Sequence, residues 1–146
     1  MAYSARELLA RILECEAGGE GENGMKAVAS VVMNRVNVAD GEYLRIGQGD
    51  LRRIIFQEGQ FDCARSVIGG VTNPQTIWAS RPEQIHYDIA DWALAGNRLY
   101  TTGESLWYFN PYAPCPYEFP FNGSGTYQVS VGQHCFYNPT AKYFTT

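Results

Sequence analysis

Leu13-Glu14-Cys15-Glu16-Ala17-Gly18-Gly19-Glu20-Gly21-Glu22 sets four acids and three glycines at the end of the first helical pattern in a chain of 146 residues. The pattern begins at Ser4, whose hydroxyl suits the free amides of a first turn, with Glu7 three residues on and spaced to reach back as in a capping box. Gly18-Gly19 ends it, where a left-handed cap costs glycine nothing. At about 100° per residue, Ala5, Leu9, Ile12 and Glu16 share one stripe, edged by Leu8 and Leu13, while Glu7, Arg11 and Glu14 point away. Glu16 is therefore the one acid of the stretch in line with the core. Two readings stand: burial raises its pKa, as a general acid requires, or the helix frays before residue 16 and the side chain is simply hydrated.

Beyond this stretch the bulk properties narrow the class. The length suits one domain over residues 1–146, with 45% hydrophobic and 18% charged residues. No apolar run approaches the roughly 18 residues of a membrane span, and a net charge of −4 argues against nucleic acid as a partner. Met1-Ala2-Tyr3-Ser4 runs straight into the helix without a basic and then apolar segment, so the expectation is a chain without a secretory leader, or one whose leader is already removed.

Along the chain, a second helix is expected from Asn23 or Gly24 to Val36, with Met25, Val28, Ala29, Val32 and Val36 on one face. Asn34 and Arg35 near its end can cap the helix, support its dipole or line a site, with structure the default reading for Arg35. Asn37 to Gly49 reads as loop; Asp50 caps a short helix, Leu51 to Phe56; Gln57-Glu58-Gly59-Gln60-Phe61-Asp62 reads as a turn with one aromatic anchor. Ser80-Arg81-Pro82-Glu83 has capping-box spacing ahead of a helix that buries Ile85, Ile89, Trp92 and Ala93, with His86 at its solvated edge. After Gly96 short aromatic runs take over: strands are expected within Ser105–Pro111, Thr126–Val131 and Gln133–Tyr137. The fold class is α+β, a helical half joined to a small antiparallel β half.

The four cysteines, at 15, 63, 115 and 135, form no C-x-x-C pair. Cys115 and Cys135 flank the β segment, and a disulfide between them would contribute roughly 3 kcal/mol in the chain-entropy model. Cys15 and Cys63 read as small buried apolar residues. Neither a metal site nor a cofactor is expected: adjacent His134 and Cys135 point to opposite faces of a strand, and the glycine-rich turn follows a helix and is acidic, so it repels phosphate. An acid on an apolar face opposite a Tyr- and Asn-rich half suits a glycan. Sugar rings stack on aromatic faces, amides bind hydroxyl and acetamido groups, and a protonated carboxyl can donate to a glycosidic oxygen.

The order of these motifs carries a resemblance. Glu16-Ala17-Gly18-Gly19-Glu20-Gly21, then Ala29-Ser30-Val31-Val32-Met33-Asn34-Arg35-Val36, Phe56-Gln57-Glu58-Gly59-Gln60-Phe61 and Leu106-Trp107-Tyr108-Phe109-Asn110-Pro111 together resemble the catalytic domain of the spore cortex-lytic cell-wall hydrolases of the SleB/CwlJ type. Cys115-Pro116 and His134-Cys135-Phe136-Tyr137-Asn138-Pro139-Thr140-Ala141 bring it nearer the CwlJ branch.

That resemblance implies a lysozyme-like fold and cleavage of the muramic acid to glucosamine β-1,4 bond of peptidoglycan glycan strands, in the spore coat, cortex or cell wall. A spore-coat protein is the implied partner. The family's acid maps onto Glu16, and Gln57, Phe61, Tyr108 and Asn110 are placed along the glycan cleft. The SleB branch yields 1,6-anhydromuramic ends and needs one carboxyl; a hydrolytic muramidase would need a second, for which Glu58, Glu20, Glu22 and Asp62 are the candidates. Glu58 stands where the family commonly has proline. A catalytically silent glycan-binding module is the rival from another class.

Overall fold

The capping signal at Ser4 is realised in helix α1, Ala5–Ala17: the Ser4 hydroxyl accepts from the Glu7 amide at 3.1 Å. The Glu7 carboxylate does not close the box. It instead pairs with Arg11 Nε at 2.8 Å and accepts from the Tyr87 hydroxyl at 2.9 Å, so it ties α1 to a later helix. The computed structural model describes residues 3–146; Met1 and Ala2, where the expected leaderless start lies, fall outside the described residues. The buried face of α1 is Leu8, Leu9, Ile12, Leu13 and Ala17, while Ala5 is exposed. Gly18 is right-handed (φ −56°) because its amide still bonds to the Glu14 carbonyl at 3.1 Å. The left-handed reversal falls at Gly21, φ +78°, where helix α2 begins.

Helix α2, Gly21–Asn37, is the central element, starting earlier than the apolar pattern suggests and buried along Met25, Val28, Ala29, Val32 and Val36. It packs against α1 on one side and α5, Gln84–Leu94, on another. Between them the expected loop contains a helix, α3, Gly41–Gly47. Its only large buried side chain is Tyr43, whose amide donates to the Tyr143 hydroxyl at 3.1 Å. One aromatic anchor in seven residues leaves no periodicity to read. Helix α4, Leu51–Phe56, is capped as expected, Asp50 accepting from the Arg52 amide at 2.8 Å. A 3₁₀ turn at Asp62–Ala64 follows, then a small hairpin of β1, Val67–Ile68, and β2, Val71–Thr72, within the expected loop.

Helix α5 is capped by Glu83 rather than Ser80. The Glu83 side chain meets the third helical amide and His86 Nδ1 accepts from the Glu83 amide at 2.8 Å. His86 is thus buried in a capping box, not solvated. The β half is a three-stranded antiparallel sheet of β3, Trp107–Phe109, β4, Gly125–Val131, and β5, His134–Pro139, in the order β3-β5-β4. Tyr108 pairs with Phe136 and Phe109 with Cys135. The observed architecture is therefore α+β, with β3 and β4 packed on α2 and the β4–β5 turn meeting Glu20 at the N-terminal end of that helix.

Both cysteine pairs are joined. Cys115–Cys135 closes the β segment, and Cys15–Cys63 joins the last turn of α1 to the 3₁₀ turn with Cα atoms 6.3 Å apart. The reading of Cys15 and Cys63 as apolar fillers is thereby corrected. Packing of α1 on the 3₁₀ turn brings together residues separated by 48 positions, which spacing cannot reveal. In the chain-entropy model closing that loop contributes about 4 kcal/mol.

Candidate active site

Helical spacing puts Glu16 on the last turn of α1 beside the buried Leu13 and Ala17, and its carboxyl is largely out of water. Burial pushes its pKa up to about 7; the negative charge of Asp62 adds to the rise, while the Tyr108 hydrogen bond and the Arg35 charge oppose it. The two oxygens have different neighbours. Oε1 accepts from the Tyr108 hydroxyl at 3.3 Å, and Oε2 lies 3.3 Å from Cys63 Sγ. A disulfide sulfur has no proton, so the second contact covers the oxygen without solvating it. A carboxyl held near neutrality can both give and take a proton at ordinary pH, whereas an unperturbed glutamic acid is less than about 1% protonated at pH 7.

Tyr108 is placed by the end of α2. Asn34 Nδ2 donates to the Gly103 and Ser105 carbonyls at 2.9 and 3.0 Å, and Arg35 Nε donates to the Leu106 carbonyl at 2.7 Å. The segment entering β3 is thus fixed two residues before the tyrosine. The Tyr108 ring stacks on Phe136 at 5.7 Å and meets the edge of His134 at 5.1 Å. Burial and the nearby Glu16 charge hold its hydroxyl well above the usual range, so it stays a donor. Tyr108 was placed along the glycan cleft by sequence; the structure joins it directly to the acid. Tyr108→Phe is expected to raise the Glu16 pKa, because the lost hydrogen bond favours the ionised form. The high-pH limb of activity should move up while the rate drops about tenfold, checked by pH–rate profiles.

None of the other expected site residues lines the cavity that Glu16 borders. Phe61 is 2% exposed, its ring 5.2 Å beneath the Arg35 guanidinium. It therefore supports the site from within, which corrects its placement along the cleft: the turn has no period from which to tell its inner from its outer side. Gln57 is half-buried, its Nε2 3.4 Å from Glu42 Oε1, and its own Oε1 is buried without a partner among the described residues. Asn110 accepts from the Tyr112 amide at 2.8 Å and lines a groove of about 550 Å³ with Gln133 and His134. Glu16 itself borders a cavity of about 470 Å³ with Gly18, Gly19, Arg81 and Glu83. A Cβ at Gly19 would meet nothing within 4 Å, so the glycine turn leaves open space beside the acid.

Of the candidate second carboxylates, Glu58 is exposed. Glu20 is engaged elsewhere: its Oε1 lies 3.1 Å from His134 Nδ1 and accepts from the Gln133 amide at 3.3 Å. Asp62 is exposed and 3.6 Å from Arg65, yet its charge reaches Glu16. Among the described residues no three His, Cys, Asp or Glu side chains converge as metal ligands, and no helix is long and apolar enough to cross a membrane. Sequence reasoning misses the contact of Cys63 with Glu16, and for Arg35 it offers a site-lining role only as the alternative to a structural one. Only the even number of cysteines hinted at the first, and the Asn34-Arg35 dipeptide at the second.

Comparison with known proteins places this geometry. The family described as Cell Wall Hydrolase matches residues 19–137, a stretch beginning just after Glu16. The Cell wall hydrolase CwlJ of Bacillus subtilis is 33% identical over 141 residues, covering 93% of this chain and 86% of its own. That of Halalkalibacterium halodurans is 31% identical, over 92% and 85%. Among solved structures, the catalytic domain of the germination-specific lytic transglycosylase SleB from Bacillus anthracis superposes with a TM-score of 0.65 at 24% identity, covering 94% of this chain and 98% of that one. The SleB catalytic domain of Bacillus cereus gives 0.64 at 24% identity, over 94% and 93%. The fold is the lysozyme-like one of those domains.

Proposed function

We propose, for a chain that belongs to the cell wall hydrolase family, that it cleaves the muramic acid to glucosamine β-1,4 bond of peptidoglycan with Glu16 as general acid and then general base, in the cell wall or spore cortex. The observation that carries this reading is the Glu16 carboxyl itself: buried, with a pKa of about 7, and hydrogen-bonded to the Tyr108 donor. Protonated Glu16 gives its proton to the glycosidic oxygen as the C1–O bond breaks. The resulting carboxylate then takes the proton of the sugar's own 6-hydroxyl as that oxygen closes on C1, leaving a 1,6-anhydromuramic end. No water is consumed and Glu16 ends protonated, ready for the next cycle. One carboxyl suffices, in keeping with Glu20 being engaged at His134 and Glu58 facing solvent.

A hydrolytic route is the second reading, favoured by one observation: Asp62 directly precedes Cys63, whose Sγ lies 3.3 Å from Glu16 Oε2, so a second carboxylate stands near the first. In it a second carboxylate activates water or forms a glycosyl-enzyme intermediate. Mass spectrometry of muropeptides released from cortex peptidoglycan separates the two, since an anhydro end is lighter than a hydrolysed one by one water. Anhydro products are expected. Hydrolysed products would transfer the role to the Glu16–Asp62 pair, and no release would favour a glycan-binding module.

A further inference from the structure

Cys15 and Cys63 are used by nothing in the chemistry above, yet they bracket the acid. Cys15 precedes Glu16 in the last turn of α1, and Cys63 Sγ sits 3.3 Å from Glu16 Oε2. The turn that carries Cys63 is itself braced. The Cys63 carbonyl accepts from the Ile77 amide at 3.0 Å, and Asn73 Nδ2 donates to the Asp62 and Arg65 carbonyls at 3.0 and 2.9 Å. The bond therefore fastens the last turn of α1, which ends without a left-handed cap at Gly18, to a braced turn. Its two ends differ in access. Cys63 is 4% exposed, whereas Cys15 is half-buried and lines an open cavity of about 200 Å³ with Gln75, Thr76 and Ser80.

We infer that the Cys15–Cys63 disulfide is the positioning element of Glu16, holding the acid against its dry sulfur wall, and that a small dithiol entering beside Cys15 switches the activity off. The inference rests on the reading of Glu16 as the acid. In the switching step the dithiol's thiolate attacks the S–S bond, a mixed disulfide forms, and the second thiol closes the reductant into its cyclic disulfide. Two electrons and two protons end on the sulfurs of Cys15 and Cys63. With the bond open, the last turn of α1 is free to fray and water reaches Glu16 Oε2. The carboxyl then loses the shielding that keeps it protonated at neutral pH.

The test uses the full chain as the Cys15→Ala/Cys63→Ala double variant, alongside wild type reduced with dithiothreitol and then reoxidised. Peptide mapping reports which bond is open and far-UV circular dichroism reports the fold. For both the variant and the reduced wild type the expected result is a folded protein with kcat on glycan strands at pH 7 down at least tenfold, KM within about twofold, and the high-pH limb shifted down by a unit or more; reoxidation restores all three in the wild type only. Retention of more than half of kcat with an unmoved limb would overturn the positioning role. So would loss of activity that only tracks loss of the far-UV signal, which marks a structural staple. Activity retained by Glu16→Gln would instead sink the assignment of the acid, whatever the cysteine variants do.

Discussion

Glu16→Gln is expected to abolish muropeptide release, by at least about a thousandfold, while making the protein more stable at pH 8. The amide keeps the size of the side chain and its acceptor toward the Tyr108 hydroxyl, but it has no proton to deliver to a glycosidic oxygen. The stability gain follows from linkage. Glu16 has a pKa of about 7 in the folded chain against 4.5 for the free group, so the folded state binds its proton more tightly than the unfolded state does. The Glu16 contribution to wild-type stability is thus most favourable below about 4.5, falls as pH rises through the interval up to 7, and carries the full penalty above it. A shift of that size corresponds to no more than about 3.5 kcal/mol, and partial exposure brings the expected gain to about 1–2 kcal/mol. Glutamine carries no such penalty. Melting the two proteins at pH 4 and pH 8 should show nearly equal midpoints at the lower pH and a higher midpoint for the variant at the upper. Equal midpoints at both, or residual cleavage, would count against a buried acid at this position.

Glu16 was legible because a charge on the apolar stripe of a long helix breaks a strong pattern, and periodicity survives without any tertiary information. The same reasoning recovered α2, α4 and the strands that carry Tyr108 and His134. It failed where the signal is not periodic. Helix α3 hangs on Tyr43 alone. Phe61 was recognised as an anchor, but a turn cannot say whether its aromatic faces a cleft or, as here, the Arg35 guanidinium. His86 looked like an edge residue because capping by an imidazole of its own helix's third residue leaves no mark in hydropathy. The Cys15–Cys63 bond was invisible because contact across 48 residues is created by the fold it helps to hold. Motif spacing singles out Glu16, and packing alone supplies what surrounds it.

Arg35→Ala is expected to destabilise the fold by about 3–5 kcal/mol, a fall of roughly 10 °C in melting midpoint, and to move the high-pH limb of activity upward. Arg35 is 5% exposed and its guanidinium lies 4.8 Å from the Tyr43 ring centroid and 5.2 Å from that of Phe61. Nε donates to the Leu106 carbonyl at 2.7 Å; Nη1 is buried without a hydrogen-bond partner among the described residues, so the aromatic faces are what this charge has in place of water. A charge-assisted hydrogen bond contributes about 1.5–3 kcal/mol, and each desolvated cation–π contact about 1–2 kcal/mol. Truncation also leaves a cavity between α2 and β3. The electrostatic consequence is separate. Arg35 lowers the Glu16 pKa, so its removal should raise that pKa further and extend the protonated form to higher pH. Arg35→Lys divides the two effects. It keeps a positive charge, and hence the limb, but cannot reproduce the planar guanidinium between two rings, so the melting midpoint should still fall. A lysine variant that melts like wild type would show that the guanidinium is a passenger in the core, and an alanine variant with an unmoved limb would show that its charge does not reach the acid.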